Sequence, residues 1–281
     1  MFSKKISKIL KFLCISVVFC FMINILGALN VQAKTFTDRY SGIGTTVMPA
    51  AAVTTETVNY TNREVSLVEI YQGVPLYTQL SYLENSCGPT AGAIVVGYYD
   101  KYYTNLIPDY TPCLSSGKFL KNDKVYVPQL MSDLYTLMRT NVDDVGVNET
   151  DCLNGLRTYV NNHGYSISYT NAKSSDTVNE SICANGLNNL QPTLLFCRKM
   201  DLYQIGQNAA KTQDTLVASA YTGGHVAVVY AVCTIKYYNG SDNFRTDKYL
   251  EVATGMPEMS SGFIKLTSTD WCNAAYVVNI S

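Results

Sequence analysis

The chain has 281 residues, 47% of them hydrophobic and 15% charged, with 22 tyrosines and a formal net charge of −1. That length suits one large domain with short extensions, and the composition is that of a folded globular protein rather than a disordered or fibrous one. Basic and acidic residues nearly balance without a clustered basic excess, so a nucleic-acid partner is not expected.

Residues 1–33 carry lysines at 4, 5, 8 and 11, then an apolar stretch, then small residues ending in Val31-Gln32-Ala33. A charged start, an apolar centre and a small-residue exit predict a secretory signal peptide cut before Lys34. The chain is therefore expected to be secreted or extracellular, with no membrane partner after cleavage. It would stay at the cell surface where the segment remains uncleaved as an anchor. Cleavage leaves 248 residues with 17 basic and 22 acidic side chains. Residues 34–63, rich in Thr, Ala and Ser, read as a flexible lead-in or pro-segment, and 64–281 as the folded domain.

Within that domain, Val65–Tyr71 has strand character, and an apolar helix is predicted from Pro89 to about Tyr103. A polar loop, 107–124, precedes a helix opened by Pro128. A third helix spans Glu149–Asn162 and ends at His163-Gly164, and a fourth spans Asp176–Leu187. Strands are predicted at Tyr165–Tyr169, Thr193–Cys197, His225–Tyr237, Lys248–Val252, Gly262–Leu266 and Ala275–Ile280, with a hairpin turn at Asn239-Gly240. Helices first and an antiparallel sheet second make an α+β layout.

Cys87 lies in LENSCGPTAGAIVVGYY, where Pro89 marks the first turn of a helix. A thiol at a helix start faces unpaired N–H groups and the positive end of the dipole, an environment that favours thiolate. Only two histidines are present. His225 opens the long β-type run GGHVAVVYAV, whereas His163 sits in a helix-ending turn that favours a cation for capping alone. Cys87 and His225 are thus the expected nucleophile and base, 138 residues apart. The Cys and His residues show no ligand-spaced pairs, so neither a metal site nor a cofactor is expected. Seven cysteines follow the signal segment; six in pairs would leave Cys87 free, and six buried free thiols fit as well. The tyrosines at 98, 99, 102 and 103 recur at helical spacing and read as packing residues.

VPLYTQLSYLENSCGPTAGAIVVGYYD together with GGHVAVVYAV resembles the papain-like cysteine peptidases, most closely the C39-like branch, over much of residues 74–267. The resemblance implies a papain-like α+β fold, with the nucleophile at a helix start packed on a sheet that carries the histidine. It implies a peptide or protein substrate, cut through a Cys87 thioester with His225 as base and then acid. Gln79, eight residues before Cys87, is implied as the oxyanion donor. Relatives fused to transporters cut leader peptides; this chain shows no ATP-binding motif that would extend that role to it. Relatives carry Asn or Asp on the strand after the histidine, where this chain has Ala253 and Thr254. Thr254 is the expected substitute, through its hydroxyl, with Glu251 the charged neighbour. Two other readings follow from that departure and from the chemistry of thiols. One is a catalytically degenerate module that binds a peptide or a surface partner; the other is an amidase or acyltransferase.

Overall fold

The computed structural model describes residues 52–112, 114–116, 118–120, 123–142, 146–175, 177–266 and 271–281. The signal-peptide reading, the first part of the lead-in and Cys113 lie outside them.

Two strands come first, β1 (Ala52–Asn59) and β2 (Asn62–Glu69), then the short β3 (Val74–Pro75) and helix α1 (Cys87–Asp100). After β4 (Leu114–Ser116) and β5 (Phe119–Leu120) come α2 (Tyr126–Leu137) and α3 (Glu149–Asn162). Next are β6 (Ile167–Asn171), β7 (Lys173–Ser174), β8 (Thr177–Val178) and α4 (Glu180–Asn188). The remainder is strand: β9 (Thr193–Cys197), β10 (Met200–Gln207), β11 (Gln213–Tyr221), β12 (His225–Asn239), β13 (Asp242–Ala253), β14 (Ser261–Lys265) and β15 (Cys272–Ile280).

Ten strands form one sheet in the order β1-β11-β10-β14-β13-β12-β9-β15-β6, with β2 also paired to β12, and every pairing in it is antiparallel. The expected papain-like α+β fold is therefore corrected. Strands make up 43% of the described residues against 23% helix, with four helices among them, and the large sheet dominates. The helices do not precede the sheet, because β1, β2 and β6 interleave with them. Two strands, β10 and β11, arise where no element was predicted, and β1 replaces part of the lead-in by pairing residue for residue with β11.

Local chemistry explains the elements that hold the site. In α1 every residue from Gly88 to Asp100 is buried, so it has no polar face and sits inside the molecule. It packs against β12 and against α2 and α3. Gly155 permits the close approach of α3 to the end of α2, since a Cβ there would lie 2.6 Å from the Met138 main-chain nitrogen. The tyrosines in and just after α1 pack as expected: Tyr98 meets Tyr99 and Tyr102 edge-on, and Tyr103 stacks on Tyr99. Asn148 and Asn179 cap α3 and α4, each accepting an N–H three residues on. Among the described residues no helix is long and apolar enough to cross a membrane.

Candidate functional site

The start of α1 and the start of β12 meet at a pocket of about 370 Å³. Cys87 and His225 both line it, together with Gln79, Asn85, Tyr221 and Cys197. On the α1 side, Asn85 adopts a left-handed backbone (φ 53°), and Ser86 occupies the N-cap position without a side-chain cap. The Ser86 hydroxyl is buried with no hydrogen-bond partner among the described residues. First-turn N–H groups are thus left uncapped by that side chain, beside the sulfur of Cys87.

On the sheet side, His225 is the first residue of β12, opposite Cys197 of β9. The residue is 4% exposed, and its Nε2 lies 2.6 Å from the main-chain oxygen of Thr254. A carbonyl oxygen only accepts, so this contact places the ring proton on Nε2 and leaves the lone pair on Nδ1. Tyr221 meets the ring edge-on with centroids 5.5 Å apart. Burial is the larger influence on the imidazole and holds its pKa below the ordinary value, against the Thr254 carbonyl, which pulls it up. The ring is neutral near pH 7, the form a general base needs.

Cys87 departs from expectation. Burial pushes its thiol pKa above the ordinary value, and this outweighs the main-chain N–H groups of Val226, Gly88 and Cys87 itself, which favour the thiolate. The helix start acts in the expected direction and loses to desolvation. The Val226 contact nevertheless ties the sulfur to the residue next to His225. Among the described residues no hydrogen bond joins the Cys87 sulfur directly to the imidazole.

The other expected residues fall as follows. Gln79 lines the pocket, and its main-chain N–H donates to the Gly255 carbonyl at 2.7 Å, strapping it to the loop that anchors His225. Thr254 does contact the imidazole, but through its carbonyl. Its hydroxyl instead donates to the Met259 carbonyl and accepts the Met256 N–H at 3.0 Å, bracing the loop from inside. The next residue, Gly255, has φ +73°, a conformation that favours glycine, and a Cβ there would meet Thr90 at 2.9 Å. Glu251 is buried and accepts a hydrogen bond from Tyr230 at 3.0 Å, away from the pocket. His163 closes α3 with Nδ1 2.8 Å from the Tyr159 carbonyl and its ring stacked on Tyr159. Of the six described cysteines, Cys87 is half-buried and the others are buried, and Cys87, Cys152, Cys183, Cys197 and Cys272 are free thiols.

Tyr221 and Cys197 enter the pocket without having been foreseen. Tyr221 stands four residues before the histidine, a proximity that carries information only once the chain is known to turn back there. The Thr254 carbonyl has no side-chain signal at all.

With this geometry in hand, comparison with known proteins returns nothing. The chain matches no family model, no curated protein and no solved structure.

Proposed function

We propose that this chain is an exported thiol peptidase of the C39-like kind, acting on a peptide or protein substrate. The observation that carries the reading is the meeting of Cys87 and His225, 138 residues apart in sequence, in one pocket. The imidazole there is neutral, and its Nε2 proton is committed to the Thr254 carbonyl. The CGPT and GGH boxes support it from sequence.

The resting pair is thiol and imidazole rather than thiolate and imidazolium, because burial disfavours both charges. Nδ1 of His225 accepts the thiol proton as the sulfur attacks the substrate carbonyl. The Cys87 N–H and the Gln79 amide stabilise the oxyanion that develops. The imidazolium then gives its proton to the departing amine, leaving a thioester on Cys87. Water, deprotonated by the same nitrogen, hydrolyses the thioester and restores the thiol. The Thr254 carbonyl holds the ring throughout and stabilises the imidazolium without bearing a full charge.

The test is hydrolysis of a fluorogenic peptide pool by the purified chain and its variants. Cys87→Ala is expected to abolish turnover, His225→Ala to lower it by about 100- to 10,000-fold, and Gln79→Ala by about 100- to 1,000-fold. Iodoacetamide labelling of Cys87 should rise with pH toward the alkaline range and slow in His225→Ala. Turnover that survives Cys87→Ala would remove the assignment.

A second reading is a degenerate module that binds a peptide without cutting it. The missing hydrogen bond between Cys87 and the imidazole favours it, as does an uncharged anchor for the ring. Peptide binding that is equal in the wild type and in Cys87→Ala, with no turnover in either, selects this reading. Acyl transfer to an added amine, in excess of hydrolysis, selects an amidase or acyltransferase using the same thiol.

A further inference from the structure

Three thiol or imidazole side chains stand in one row across the sheet. Cys272 on β15 is directly opposite Cys197 on β9, which is directly opposite His225 on β12. Directly opposed residues of an antiparallel pair project to the same face. One residue outward from the two cysteines, the Arg198 N–H donates to the Trp271 carbonyl at 2.8 Å. A bond in that place closes the outer side of a non-hydrogen-bonded pair, the kind whose Cα atoms lie about 4.5 Å apart in a regular ladder, while on the inner side β15 bulges between Cys272 and Ala274. Disulfides span Cα separations of about 4.4–6.8 Å, so the backbone register sets Cys197 and Cys272 within bridging range.

Both are free thiols in this structure, each 2% exposed. The Cys272 thiol donates to the Ala274 carbonyl at 3.2 Å, a bond that oxidation would give up. Cys197 also lines the pocket, which opens a path to it for a small reagent.

We infer that Cys197 and Cys272 form a reversible disulfide, a staple between β9 and β15 behind the pocket. The oxidant is a small-molecule disulfide. One cysteine loses its proton and attacks the oxidant's sulfur–sulfur bond, which gives a mixed disulfide and releases one reduced thiol. The other cysteine attacks the mixed disulfide at the protein sulfur, closes the Cys197–Cys272 bond and releases the second reduced thiol. The two cysteine protons end on the two released thiols, and two electrons pass from the protein to the oxidant. The staple fixes the strand beside which His225 is mounted, and it does not depend on what the pocket does.

The experiment treats the folded full-length chain with glutathione disulfide, blocks remaining thiols with N-ethylmaleimide, and maps peptides by mass spectrometry without reduction. The expected product is one cross-linked species joining the Cys197 and Cys272 peptides. It is lighter by two hydrogen atoms, is reversed by dithiothreitol and is missing from Cys272→Ser. The same treatment in denaturant should scramble the pairing, which ties the selective product to the native register. A Cys87–Cys197 bridge in its place overturns the inference. So does recovery of both cysteines as blocked thiols at every oxidant concentration, or a scrambled mixture from the folded chain.

Discussion

Thr254 contributes to the pocket with main-chain atoms while its side chain holds those atoms in place. The hydroxyl bridges the Met256 N–H and the Met259 carbonyl, and the Thr254 N–H donates to the Ser260 carbonyl at 3.0 Å. Thr254→Val keeps the carbonyl that faces His225 and deletes the brace, leaving a buried donor and acceptor without that partner. The expected loss is about 1–3 kcal/mol of stability, measured by urea denaturation, together with slower alkylation of Cys87. Thr254→Ser should restore both; a Thr254→Val protein as stable as the wild type would mean that the hydroxyl brace is dispensable. Asp100 shows a different residue-scale effect. Its Oδ1 accepts the Ile107 N–H at 2.7 Å, its Oδ2 has no partner among the described residues, and burial lifts its carboxyl to about 6. The folded state thus holds this proton more tightly than the unfolded chain. The stability it contributes is complete below the unfolded carboxyl value and is lost as pH rises through about 6. Asp100→Asn keeps the acceptor without the charge. It should be the more stable protein near pH 7.5, by on the order of 1 kcal/mol, with the gap closing near pH 4; denaturation midpoints at the two pH values decide it.

Among the elements, β11 shows why part of the sheet escaped the sequence. Its alternation places Asp214, Leu216 and Ala218 inward, and a carboxylate at the first inward position breaks the hydrophobic pattern. The fold satisfies that carboxylate with partners far away in the chain: Tyr60 at 2.7 Å, Arg63 at 2.7 Å and Tyr237 at 3.0 Å. None of these is visible from the local sequence. They join β2, β11 and β12 through one buried charge. Asp214→Ala removes the shared acceptor from a largely buried guanidinium and is expected to cost about 3–5 kcal/mol, read from urea midpoints. A loss below about 0.5 kcal/mol, the range of an ordinary surface change, would show that the network is dispensable. By contrast, α1, α3, β9 and β12 were legible, because each carries its own periodicity, apolar run or end signal.

At the scale of the molecule, the two residues that meet in the pocket were legible and the architecture was not. Cys87 and His225 announced themselves through their flanking residues, but the balance of helix to strand turned on β1, β10 and β11, whose patterns are weak or interrupted by polar residues. β1 illustrates the cost of such strands. Its side chains are almost all exposed, so what it adds to the sheet is mainly the ladder to β11 and the ion pair of Glu56 with Arg245. A chain beginning at Tyr60 should keep its far-ultraviolet dichroism yet self-associate, because the β11 edge is then open for pairing. Light scattering that stays monomeric over a range of concentrations would count against a protective role for β1.

The long strand β12 has one more consequence. Along almost its whole length it is hydrogen-bonded on both sides, to β13 on one edge and to β9 and then β2 on the other. Segments flanked in this way are the last to exchange their amide hydrogens, and His225 stands just ahead of that segment, paired with Cys197 of β9 but three residues before Val228, where the pairing with β13 begins. Any widening of the pocket therefore leaves the body of β12 in place and comes from its surroundings, the turns around Asn85 and beyond Thr254.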